Sequence, residues 1–274
     1  MDGIESQSGS ATVNGTTLSY EVAGAGSALV LIHAGIADSR MWDGLFERWA
    51  RSHRVVRYDL RGFGRSGRAS GAFALRDDLY GLLDTVGIDR AAVLGISFGG
   101  SVALDFALTY PDRVTALVLT AARPGGLPPT PDLTEVWEAE EDALARGDLD
   151  AANEVDLRAW VDGPQRMPDQ VDPAVRARMR EMNQLVLERQ AAETDAEPQP
   201  LDPPAVERLS ELRVPTLVVV GALDRPGTLA GTERLADGIP GARRVVIPGA
   251  AHMVPLEWPD QFGDLIEAFL RQTD

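Results

Sequence analysis

The chain has 274 residues, 44% hydrophobic and 25% charged, enough for one large core or a core with an insertion; its net charge of -16 disfavours nucleic acid and anionic membrane surfaces as partners. It contains no cysteine, and all 26 basic residues are arginine, which excludes disulfides, thiol nucleophiles, thiolate metal sites, Schiff-base lysines and a lysine-bearing phosphate loop. The three histidines, His33, His53 and His252, lie far apart without an H-E-x-x-H pattern, so a histidine-rich metal centre is not expected.

The polar N-terminus has neither the basic head nor the apolar segment of a signal peptide, and the best apolar run, around Ala28 to Ile32, is strand-sized. A cytoplasmic protein is expected. Ala11 to Val13 and Thr17 to Val22 read as a hairpin. Asn14-Gly15-Thr16 matches a glycosylation sequon, but Asn-Gly between β-prone runs is a turn signal. Ala28 to Ile32 reads as a buried strand, Ser39 to Arg51 as a helix, Arg54 to Tyr58 as a strand and Asp59 to Ser70 as a Gly/Arg-rich loop. Ala72 to Val86 has amphipathic helical spacing and ends at Gly87. Next come an apolar strand from Ala91, a small-residue helix Phe98 to Thr109 and the strand Val114 to Thr120. Strands alternating with helices predict an α/β fold with a mostly parallel sheet covered on both faces.

From Ala122 to about Pro204 the character changes to acidic, helix-prone sequence with no strand-like run. Apolar positions such as Val136, Leu144, Leu157, Val161, Met179 and Leu187 keep helical spacing, so we read 124–204 as a helical cap inserted into a core of 1–123 and 205–274. Alternation resumes with a strand Thr216 to Val220, a helix Thr228 to Gly238, a strand Arg243 to Ile247 and a last helix Pro259 to Gln272.

Ligands of open α/β sheets bind beyond the carboxyl ends of the strands, and three positions there suit a hydrolytic triad. Ser97 stands in Gly95-Ile96-Ser97-Phe98-Gly99, a G-x-S-x-G between strand and helix. Asp224 closes Gly221-Ala222-Leu223-Asp224, and His252 ends Gly249-Ala250-Ala251-His252. With His33-Ala34-Gly35-Ile36 and Asp59-Leu60-Arg61-Gly62-Phe63-Gly64-Arg65-Ser66, these ordered motifs resemble the α/β-hydrolase superfamily over nearly the whole length. Within it the chain most resembles small esterases and enol-lactonases.

The resemblance implies a serine hydrolase of a small carboxylic ester or lactone, working without a cofactor. Ser97 would be nucleophile, His252 general base and Asp224 the group fixing the imidazole tautomer. The oxyanion would be held by the Phe98 backbone N-H and a second from the turn after His33. Counting back from Met41-Trp42 favours Gly35, with Ile36 as alternative; the family more often has Gly where this chain has Ala34. Alternatives with the same motifs are carbon-carbon hydrolysis of a diketone and a ligand receptor on a hydrolase scaffold.

Trp137 and Trp160 are candidates for lining the substrate pocket, against the plainer reading of helix core, and Met253 joins them beside His252. Arg123, Arg158 and Arg166 are candidate carboxylate binders against a reading as surface charges. His33 resembles a structural position of the oxyanion turn, and His53 reads as a surface or strand-edge residue. Asp202 and Asp237 read as solvated. Gly62 to Gly67 matches G-x-G-x-x-G, but no helix opens at Gly67, which argues against a dinucleotide site.

Overall fold

The computed structural model describes residues 5–192 and 195–273; the first residues of the polar tail, and two within the returning segment 191–204, lie outside the described residues. The main sheet opens with a hairpin of β1 (Ser6–Val13) and β2 (Thr16–Ala23). Asn14 and Gly15 both take positive φ, 44° and 77°, as a tight two-residue turn between twisted strands requires. β3 (Ala28–Ile32) and β4 (Arg54–Tyr58) follow. A short β5 (Gly71–Phe73) stands apart from the main sheet, which continues with β6 (Ala91–Ile96) and β7 (Val114–Thr120). After a second short strand, β8 (Ala196–Pro198), it closes with β9 (Thr216–Gly221) and β10 (Arg243–Ile247).

Its eight strands run in the order β1-β2-β4-β3-β6-β7-β9-β10. β2 is antiparallel to β1 and β4, and the other pairs are parallel. All loops leaving β3, β6, β9 and β10 therefore emerge at one edge.

Strand residues alternate between two cores, as the period of two demands. Leu29, Leu31, Leu94 and Val219 face the core built with α1 (Asp43–Trp49) and α10 (Pro259–Leu270). Val30, Val93, Leu117 and Val218 face the opposite core, built with α2 (Leu75–Thr85), α3 (Phe98–Thr109) and α8 (Pro226–Gly238). A helix-sandwiched, mostly parallel sheet is what the alternation of runs predicts.

Between β7 and β9 the chain forms α4 (Pro131–Ala145), α5 (Leu149–Asp156), a π-helical turn over Leu157–Asp162, α6 (Pro173–Ala192) and α7 (Ala205–Arg208). A small apolar cluster of Ala143, Ala152 and Leu187 joins α4, α5 and α6. Arg178 on α6 pairs with Asp43, and Arg40 with Glu181 at 2.5 Å, fastening α6 to the segment before β4. The short helix α9 (Val254–Glu257) follows His252.

Three expectations are corrected. Ala72 and Phe73 belong to β5, not to the following helix, and residues 124–204 do contain a strand, because β5 pairs in parallel with β8. Three-residue strands carry no readable periodicity; a partner distant in sequence makes them. Of the two readings of His53, surface or strand edge, the second holds: it immediately precedes β4 and is buried in the turn after α1, its Nδ1 2.9 Å from Ser52 Oγ and its N-H bonded to Trp49 O. The segment 39–51 is also divided, a 3-10 turn over Ser39–Trp42 preceding α1. No helix among the described residues is long and apolar enough to cross a membrane.

Candidate active site

Ser97 stands between β6 and α3 with φ 54° and ψ -120°, a conformation that costs a non-glycine residue about 1–3 kcal/mol and persists only where neighbours enforce it. They do. The Ser97 N-H donates to Thr120 O at 2.8 Å, and its carbonyl accepts from Gly100 and Ser101 at 2.9 and 3.1 Å. A Cβ on Gly95 would overlap the Gly99 carbonyl, and one on Gly99 would overlap His33 O and lie 2.6 Å from Ile32 O. Both glycines are thus needed for α3 to begin hard against the ends of β6 and β3, leaving the serine partly exposed.

Asp224 and His252 arrive from adjacent strands. The loops after β9 and β10 are stitched by Ala222 N to Ile247 O and Leu223 N to Ala250 O, both 2.9 Å. A side chain on Gly221 would run into the carbonyls of Ala250 and Ala251, so the histidine loop crosses directly over the end of β9. His252 Nδ1 lies 2.8 and 3.0 Å from the two Asp224 carboxylate oxygens, and Asp224 Oδ1 also accepts the Arg225 N-H at 2.7 Å. With the ring proton on Nδ1, Nε2 presents a lone pair. That Nε2 is buried and has no hydrogen-bond partner among the described residues. Ala251 N-H donates to Glu257, which is held by Arg166 at 2.6 Å, so α9 braces the histidine loop.

The Ile32–Gly95 register of β3 and β6 sets the turn after His33 beside Ser97. His33 is fully buried and bridges two strand ends, its Nδ1 2.8 Å from Ala34 O and its Nε2 accepting from Leu60 N at 2.9 Å. Burial holds its pKa below the usual imidazole value, so it stays a neutral tether. Gly35 packs against Phe98, with room for a Cβ only 3.3 Å from that residue's own Cβ. Gly35, Ile36, Phe98, Ser97 and His252 line one cavity of about 460 Å³. The N-H groups of Gly35, Ile36 and Phe98 donate to no backbone carbonyl among the described residues.

A strained serine turn, a buried histidine-aspartate pair and free amides at one sheet edge agree with the family comparison, in which the model for the alpha/beta hydrolase fold matches residues 27–259. The chain belongs to that family. A pimeloyl-[acyl-carrier protein] methyl ester esterase of Aliivibrio salmonicida is 27% identical over 94% of this chain and 98% of its own. The enol-lactonase of Burkholderia xenovorans LB400 superposes with a TM-score of 0.79 at 28% identity, covering 96% of this chain and all of that one. A thermophilic esterase of Thermogutta terrifontis gives 0.78 at 27%, covering 97% and 99%. Family and relatives together make the chain a hydrolase.

In this alpha/beta hydrolase, Trp137, Trp160 and Met253 all line the cavity. Trp137 is exposed rather than helix core, and the Trp160 ring lies 4.9 Å from that of His252. Arg123 also lines the cavity, whereas Arg158 and Arg166 do not; they pair with Asp162 and Glu257. Arg123 donates to Pro128 O at 2.8 Å, and burial lowers its pKa.

Gly62 to Gly67 wraps Asp59, which accepts from Ser39 N and Arg65 N at 2.8 Å each, and the next helix starts only at Leu75, so the loop has no dinucleotide geometry. No cluster of three potential metal-ligating side chains occurs among the described residues.

Among the cavity residues that the sequence reading did not single out are two acids, Glu140 and Asp156. Helical spacing puts both on the faces that carry the tryptophans, but it does not say that those faces are covered. Leu133, Trp137 and Glu140 share one stripe of α4, and Asp156 lies four residues before Trp160.

Proposed function

We propose that the chain is a serine hydrolase of small carboxylic esters or lactones, acting through an acyl-enzyme on Ser97, with residues 124–204 as a cap over a core of 1–123 and 205–274. The observation that carries this reading is the buried His252 Nε2, unpartnered among the described residues, in the cavity Ser97 lines, with Nδ1 anchored on Asp224.

Ser97 Oγ attacks the carbonyl carbon as its proton passes to His252 Nε2. Asp224 keeps the imidazole in the competent tautomer and stabilises the imidazolium. The developing oxyanion takes hydrogen bonds from Phe98 N-H and Gly35 N-H, with Ile36 N-H the alternative second donor. These amides are fixed before reaction and need little reorganisation. Collapse expels the alkoxide, which receives the proton from His252; in a lactone it stays tethered to the acyl group. A water then gives its proton to His252 and its oxygen to the acyl carbon, releasing the carboxylic acid and restoring Ser97. The cycle balances with water as the only co-reactant and calls for no cofactor.

The test is turnover of p-nitrophenyl esters and lactones by Ser97→Ala. We expect activity to fall at least about 10³-fold and labelling by a fluorophosphonate to disappear. Wild-type turnover in that variant would overturn the reading.

A further inference from the structure

Six aspartates are buried among the described residues. Asp38, Asp59, Asp78, Asp162 and Asp224 each lie within 3.8 Å of a basic side chain, supplied by Arg40, Arg65, Arg61, Arg158 and His252 respectively. Asp156 has none, in a chain whose basic residues are all long, far-reaching arginines. One of its oxygens accepts the Asn183 amide at 2.8 Å; the other, Oδ1, is buried and unpartnered among the described residues. The residue is 1% exposed, yet it lines the catalytic cavity.

Glu140 lines the same cavity from α4 and has no ion pair among the described residues. Two neighbouring carboxyls without a counter-ion are an expensive arrangement unless something else supplies the charge. Burial, then the Glu140 carboxyl, pushes Asp156 up to about 7, as expected of an acid missing its cation. The cavity's one arginine, Arg123, does not fill the role, since the acid whose field it feels is Asp132. Trp137 and Trp160 supply aromatic faces beside the two acids, a further attraction for a cation. Trp160 is one helical turn past Asp156 and touches the His252 ring, so this acidic corner is adjacent to the reacting centre.

We propose that the substrate is an ester or lactone carrying an ammonium group, which docks against Asp156 Oδ1 and Glu140 while its carbonyl meets Ser97. The proposal rests on the hydrolase reading above and narrows its substrate class. The ammonium supplies both the missing hydrogen-bond donor and the missing charge.

The experiment measures two things in the wild type, Asp156→Asn and Glu140→Gln. One is kcat/KM for p-nitrophenyl ε-aminohexanoate against its neutral counterpart of equal length, p-nitrophenyl heptanoate. The other is competitive inhibition of heptanoate turnover by n-hexylammonium against n-hexanol, which reads the acidic corner whichever half of the substrate occupies it. We expect the wild type to favour the cation by roughly tenfold or more in both, the value of about one charge-assisted hydrogen bond. Each variant should erase most of that preference, its loss on the cationic ester exceeding its loss on heptanoate by about the same factor.

Equal inhibition by amine and alcohol in the wild type, or equal losses on both esters in the variants, would overturn the proposal. If Asp156→Asn does not fold, Glu140→Gln and the wild-type inhibition ratio decide. Failure of the hydrolase reading shows separately, as heptanoate turnover that survives Ser97→Ala.

Discussion

At the scale of single residues the site depends on a few atoms that have no substitute. Asp224→Asn keeps the volume but turns the hydrogen bond with His252 Nδ1 around, favouring a tautomer in which Nε2 carries the proton and cannot accept one. We expect kcat to fall by as much as about 10⁴ with little change in the melting curve, read by ester kinetics beside calorimetry. Gly99→Ala works in the opposite sense. Its added methyl meets the backbone carbonyls of Ile32 and His33, which cannot swing away as a side chain would. We expect a loss on the order of 3 kcal/mol in denaturant unfolding. Ser97, Asp224 and His252 were legible in the sequence because each follows an apolar run within a few residues, and glycine spacing marks the turns. Glu140 and Asp156 were not legible, since acids on helices usually face water and spacing alone does not say which face is covered.

At the scale of elements, the helices between β7 and β9 are ordered partly by polar groups that a packed interior does not favour. Asn183 bonds Asn153 at 3.2 Å and Asp156 at 2.8 Å, joining α5 to α6 beside the cavity. Between its ordinary value of 3.8 and about 7, Asp156 stays protonated in the folded chain but ionises in the unfolded one. Stability attributable to this group therefore falls as pH rises through that window and is level above it. Glu140, also raised by burial, acts in the same direction, while the Asn183 hydrogen bond and the neighbouring Trp160 indole favour the ionised form and only partly offset it. Asp156→Asn removes the titration. The variant should gain on the wild type by on the order of 2 kcal/mol between pH 5 and pH 8, followed by urea unfolding, and parallel profiles would contradict the assignment. Most elements were legible from period and punctuation, including the Asn14-Gly15 hairpin. The β5-β8 pair was not, because its hydrogen bonds join segments whose local sequence has no strand pattern.

At the scale of the whole molecule, the charge of -16 and the acidic corner point the same way. Hydrolysis of a neutral ester creates a carboxylate inside a cavity that already carries Glu140 and Asp156, so the field that repels anions approaching from outside also favours release of the acid product. Such a field is screened over about 10 Å at 0.1 M salt, which makes it separable from contact chemistry. For an anionic ester such as p-nitrophenyl hemiglutarate, kcat/KM should rise several-fold as ionic strength goes from about 0.02 to 0.3 M, because screening weakens repulsion during encounter. For the neutral heptanoate ester it should stay flat, since no net charge is steered. Stopped-flow kcat/KM across that salt series checks both arms. A flat response for the anion would mean that the excess acid is too evenly spread to reach the cavity mouth, leaving selection to the contacts inside it.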